Sequence, residues 1–157
     1  MNAAILRDFL IGLFFIFLEV VIFQHLSFFG ASPDPLLIYL LWLALKYDRI
    51  NIVLFAAALG LVQDALFDFW GLHMFTKTLL LFFTYNFLRR RSESRLLLWQ
   101  VMIVVFIASF IHNGIFLSLS SFIDAYASGF MPIIFLIGNS LYTAALSGLF
   151  FIFKGNQ

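Results

Sequence analysis

Residues 60–77, GLVQDALFDFWGLHMFTK, place two acids, Asp64 and Asp68, at the end of one apolar run and two cationic candidates, His73 and Lys77, at the start of the next. Between them lies the turn sequence Phe69-Trp70-Gly71-Leu72. Each arm repeats its charged positions at i, i+4, the spacing that keeps two side chains on one helical face. With both arms helical, Asp68 falls level with His73, and Asp64 with Lys77. The stretch therefore predicts an apolar helical hairpin closed by a polar seam of Asp64, Asp68, His73 and Lys77. Ionisable groups inside a membrane span are costly, and are usually paired or functional, so this seam is the leading candidate site. Two roles stand open for it: a clamp that locks the third helix to the fourth, or a binding or relay site that opens to substrate. The position of the four residues towards one end of their spans favours the clamp.

The rest of the chain suits a membrane hairpin. Of 157 residues, 64% are hydrophobic, 20% aromatic and only 11% charged, with a mean hydropathy of +1.06. Those values exclude an ordinary soluble domain. A span needs about 20 residues, which leaves room for about six crossings with short loops. The expectation is an all-α polytopic membrane protein, a six-helix transmembrane bundle forming one membrane domain over residues 1–157. Its spans fall at about 9–29, 35–45, 50–67, 74–88, 96–119 and 132–153. No small-residue cleavage site follows the first apolar run, so it reads as a retained span rather than a signal peptide. Pro33 and Pro35 flank Asp34 in a turn suited to opening the second helix. At ~1.5 Å per residue, segment 35–45 covers only about 17 Å, and is either a short span or a re-entrant one.

Two stripes of small residues recur every four positions: Ala56 and Gly60, continued by Asp64, in the third span, and Ser140, Ala144 and Gly148 in the last. Such stripes let a second helix approach closely. Glu19, His112 and Asn113 are polar residues in mid-span. They are either satisfied by neighbouring helices or are contacts for a partner or ligand, and Glu19 is a candidate partner for His112.

Basic residues set the orientation, because short loops rich in Lys and Arg stay in the cytoplasm. Six spans with both termini inside put Arg7, Lys46, Arg49, Arg89, Arg90, Arg91, Arg95 and Lys154 on the cytoplasmic side and leave Lys77 alone within a span. The same asymmetry argues that segment 35–45 does cross. The cluster of Arg89, Arg90, Arg91 and Arg95 fixes topology as it stands, and could also hold anionic lipid or a cytoplasmic protein.

No catalytic pattern is found. The nearest approach to the Gly-x-Ser-Gly of rhomboid-type proteases is Ala145-Leu146-Ser147-Gly148, which lacks the first glycine and has no later histidine. His25, His73 and His112 lie on separate segments without the glutamate spacing of a zinc site. There is no cysteine for a disulfide framework or a thiolate site, and no phosphate-binding G-x-x-x-x-G-K-[ST] loop. A non-enzyme is expected, with no metal, no cofactor and no nucleic-acid partner.

Three stretches together resemble a known family: Pro33-Asp34-Pro35-Leu36-Leu37 opening the second span, Gly60-x-x-x-Asp64 in the third, and Gly71-Leu72-His73 opening the fourth. In a chain of this length they look like the bacterial rod-shape-determining MreD family. Pro35 stands where many members have leucine, a departure that sharpens the turn. From Leu96 onward the likeness rests on span count and small residues. The resemblance implies a non-enzymatic subunit of the rod (elongation) complex in the bacterial inner membrane, supporting peptidoglycan synthesis and cell shape. Its implied partners are MreC, directly, and MreB, RodA and a class B penicillin-binding protein within the complex, together with membrane lipid. The family is also similar in fold to the substrate-binding subunits of energy-coupling-factor transporters, which keeps a solute- or lipid-binding transport subunit as the alternative.

Overall fold

The structure is a computed structural model and describes residues 3–27, 30–91, 97–122 and 132–155. Among the described residues six α-helices follow one another: α1 (Ala3–Leu18), α2 (Pro35–Lys46), α3 (Arg49–Phe67), α4 (Leu72–Arg91), α5 (Leu98–Ser120) and α6 (Asn139–Gly155). α1 runs directly into a π-helical turn at Glu19–Phe23, and a second π turn at Ile134–Gly138 leads into α6. No strand occurs among the described residues.

Arg49–Phe67, Leu98–Ser120 and Ile134–Phe153 are long and apolar enough to cross a membrane. The distribution of polarity points the same way. Large apolar side chains such as Phe14, Phe17, Leu54, Leu61, Phe83 and Ile107 face outward, while Asp64, Lys77, His112, Asn113, Ser140 and Thr143 are buried. A water-soluble domain does the reverse with its charges, so the bundle is that of a membrane protein.

The short second segment lies at the centre. α2 packs against α1, α3, α4, α5 and α6, and Leu36, Leu37, Tyr39, Leu40, Leu41, Leu43 and Ala44 are all buried. A helix apolar on every side belongs in the middle of a bundle. It begins sharply because Pro35 occupies the first turn and Asp34 caps it, accepting a hydrogen bond from the Leu37 amide at 2.7 Å.

The turn expected ahead of α2 does not lie on the surface. Ala31 and Pro33 are buried, and two amides of this irregular stretch are held by side chains from α6. Ser32 N donates to Asn139 Oδ1 at 2.9 Å, and Asp34 N to Thr143 Oγ1 at 3.0 Å. Irregular backbone is tolerated at membrane depth only where protein groups satisfy it. These two bonds do that, and they explain why α2 is only 12 residues long.

α3 and α4 form the predicted hairpin. α3 ends at Asp68, whose backbone is left-handed (φ 59°, ψ 36°), a conformation that Asp tolerates better than most residues. Gly71, also left-handed at φ 81°, completes the turn. A Cβ on Gly60 would lie 2.6 Å from Met74 Cα and 2.9 Å from its amide nitrogen, so the two backbones touch. Ala56, one turn earlier, is fully buried. In the second stripe Ser140 and Ala144 are buried, and a Cβ on Gly148 would meet Met102 Sδ of α5 at 3.0 Å.

Element ends depart from the expected spans mainly at the start, where the helix begins at Ala3 and ends with the π turn at Phe23. Residues 28–29 and 96, Arg95, and the linker 123–131 lie outside the described residues, as do the side chains of Arg91 and Lys154. At one end of the bundle Lys46 pairs with Asp8, Arg49 donates to Phe82 O and Arg89 to Leu45 O. Apart from Lys77, the described Lys and Arg residues gather at this end.

Candidate functional site

Among the described residues Lys77 is the most deeply buried cation, with no exposed surface. Its ammonium pairs with Asp34 Oδ2, on the irregular segment ahead of α2. This corrects the seam expected across the hairpin, in which Lys77 would face Asp64. Asp64 instead uses both carboxylate oxygens on the start of α4: His73 N donates to Oδ1 at 2.8 Å and Met74 N to Oδ2 at 2.9 Å. The first amides of a helix have no intrahelical partners, so the acid of α3 caps α4 from across the turn. Because Asp64 meets residues 73 and 74, Lys77 lies about one turn deeper than level pairing would place it.

The other two seam residues separate. Asp68 is exposed at the cap of α3. The His73 ring sits among aromatic rings, 4.8 Å from Phe116, 5.4 Å from Phe69 and 6.0 Å from Phe67 between centroids, and is stacked on His112 at 6.1 Å with an interplanar angle of 15°. The four residues are thus near neighbours with different tasks.

Beside the ion pair runs a second chain of polar contacts. His112 Nε2 lies 3.1 Å from Thr76 Oγ1, and Nδ1 lies 3.2 Å from Asn113 Oδ1. A tautomer protonated at Nδ1 donates to Asn113 and accepts from Thr76, although the Thr76 hydroxyl also has Leu72 O at 2.7 Å as an alternative acceptor. Asn113 Nδ2 donates to Ser109 Oγ at 3.4 Å and to Ser140 Oγ at 3.2 Å, tying α5 to α6. His112 and Asn113 are therefore satisfied within the bundle. Glu19 does not meet His112 by hydrogen bond: its Oε1 accepts from Gln63 Nε2 of α3 at 2.8 Å.

Asp34, Gln63, Thr76, Asn139 and Thr143 complete this polar core and are not among the site residues that the sequence points to. Asp34 had a visible signal, since an acid between two prolines at a helix start is a capping candidate. The others are isolated polar residues in apolar helices, with no periodicity to expose them. Among the described residues no three His, Cys, Asp or Glu side chains gather in a metal-binding cluster.

A separate group lies at the basic end. Asp8 is almost fully buried, pairs with Lys46, and accepts a bond from Tyr47 Oη at 2.8 Å, while Tyr39 Oη donates to the Asp8 carbonyl at 2.8 Å. Burial alone would raise the Asp8 carboxyl, but the bonds from Lys46 and Tyr47 outweigh it and hold the group below its ordinary value. This cluster fastens α1 to the end of α2.

The geometry makes Asp64→Ala a helix-cap deletion that leaves the Lys77–Asp34 pair in place. An expected loss of about 1–2 kcal/mol follows from the cost of losing such a cap, read as a lower thermal midpoint in detergent. Asp64→Asn, which keeps one acceptor oxygen, should lose less. Equal losses in the two variants would contradict the capping role.

Comparison of the chain with family models, with curated proteins and with solved structures finds no match in any of the three.

Proposed function

We propose that this chain is a non-enzymatic membrane subunit of the bacterial rod complex, of the MreD type, that docks MreC and supports peptidoglycan synthesis by RodA and its penicillin-binding partner. One observation carries the reading. Two of the three stretches on which the family resemblance rests meet directly, with Asp64 capping the start of α4 at His73 and Gly60 lying against the backbone of His73 and Met74, and the first joins them through Asp34, which caps α2 and pairs with Lys77 one turn beyond His73. Residues far apart in the chain thus form one structural unit, as expected if the motifs specify a shared scaffold rather than separate sites.

The proposed topology has six crossings with both termini in the cytoplasm of a bacterial inner membrane. Support comes from the gathering of Arg7, Lys46, Arg49 and Arg89 at one end and from the central place of α2, which the neighbouring helices shield from lipid. Lys77 and Arg89–Arg91 keep α4 from being apolar throughout, yet its 20 residues are long enough to cross. A fold like that of the energy-coupling-factor substrate subunits belongs to this proposal.

A second reading, a solute- or lipid-binding transport subunit, is favoured by an apolar groove of about 350 Å³ between α2, α4 and α5, lined by Leu41, Phe87, Leu88, Trp99, Ile103 and Ala108 among others. A tagged pull-down from the native bacterial membrane, with proteins and lipids identified by mass spectrometry, separates the two. Recovery of MreC with the wall synthases is the expected result. Recovery of a defined small molecule with an ATPase module, and no MreC, would overturn the scaffold reading in favour of transport.

A further inference from the structure

Among the described residues, Glu19 is the one buried carboxylate that neither caps a helix nor holds a cation. It opens the π turn that follows α1, and such turns recur at functional positions inside helices. One of its oxygens is bonded to Gln63 Nε2, but Oε2 is buried with no hydrogen-bond partner, and so is Gln63 Oε1. Two neighbouring side chains thus present two acceptor oxygens and lack one donor. An ionised carboxylate cannot supply it, since it only accepts. A carboxylic acid can.

The charges nearby point the same way. Asp34 and Lys77 both act electrostatically on Glu19, and they already neutralise each other. A second carboxylate at that place would be a buried charge without a counter-ion, which is among the most expensive arrangements a protein interior can hold. Burial itself acts most strongly on Glu19, and among the described residues the only other side chain that acts on it is Gln63, through the hydrogen bond from its neutral amide.

We propose that Glu19 and Gln63 form a proton-binding site within the bundle, in which the Glu19 carboxyl carries a proton on Oε2 and is hydrogen-bonded through it to the Gln63 amide oxygen. Release of that proton puts a second negative charge beside Asp34, in competition for Lys77. Because Asp34 also caps α2 and its amide is held by Thr143, the protonation state of Glu19 is coupled to the junction of α2, α4 and α6. This inference is independent of the rod-complex reading.

The test is infrared difference spectroscopy on the full chain in lipid nanodiscs, from mildly acid to mildly alkaline pH. The expected result is a protonated-carboxyl carbonyl band at neutral pH that moves in heavy water and is lost in Glu19→Gln. Gln63→Leu keeps the carboxyl but removes its partner, and is expected to move the band to higher frequency. A parent protein without the band at neutral pH overturns the proposal whether or not either variant folds. So does a band that survives Glu19→Gln but is lost in Asp34→Asn or Asp64→Asn, or one that Gln63→Leu leaves unmoved.

Discussion

Lys77→Met is expected to destabilise the folded bundle by about 3–5 kcal/mol, the range for breaking a buried ion pair by removing one partner. Most of that loss is the charge left on Asp34 rather than the lost attraction. Asp34 keeps its bond from the Leu37 amide and is 14% exposed, so a value towards the lower end is expected. The diagnostic measurement is the double variant. Asp34→Asn removes the stranded charge while leaving an acceptor for the Leu37 amide, so Lys77→Met with Asp34→Asn should recover much of the thermal stability that Lys77→Met loses. If Lys77→Met unfolds at the parent temperature, or if the second substitution adds to the damage, the pair is not what holds this part of the bundle together. The logic is that of a double-mutant cycle between residues in direct contact.

Gly60→Ala should be nearly as harmful although it adds a single methyl. The new Cβ would sit 2.6 Å from Met74 Cα, and a backbone atom cannot step aside as a side chain can. Overpacking of this kind costs about 1–3 kcal/mol. It should also disturb the cap, since the Met74 amide that Asp64 holds belongs to the same residue. Gly148→Ala is the control. There the nearest atom is Met102 Sδ at 3.0 Å, on a flexible side chain that repacks easily, so a much smaller loss is expected. Similar thermal midpoints for the two variants would mean that the α3–α4 contact has no special tightness.

The comparison between these glycines marks what could be read from sequence. Both stripes were legible, because four-residue spacing of small residues follows directly from helix geometry. Which stripe meets backbone and which meets a side chain was not, since that depends on the facing helix. The hairpin was legible from Asp64, Asp68, His73 and Lys77 around a glycine turn, but its pairing was not. Level pairing treats both arms as helical up to a symmetrical turn, whereas α3 stops at a left-handed Asp68 and α4 resumes at Leu72. The shift brings Asp64 onto the α4 backbone and sends Lys77 deeper, towards an acid 43 residues earlier.

The place of Asp34 in the polar core escaped for a related reason. Pro33 and Pro35 announced a helix start correctly, yet turns are ordinarily found at surfaces, and nothing local announces a buried one. Its burial is made possible by Asn139 and Thr143 on α6. Single polar residues at helical positions carry no pattern that names a partner more than a hundred residues away.

That separation governs how the protein is made. The amides of Ser32 and Asp34 find their acceptors 107 and 109 residues later in the chain. At ~5–20 residues per second, a ribosome needs roughly 5–20 s to produce them. Until they are made, the first five helices exist without the groups that satisfy the break ahead of α2. The middle of the bundle therefore cannot be finished in the order of translation: α2 takes its final seat only when the last helix arrives, and a nascent chain halted before α6 has no route to the native interior.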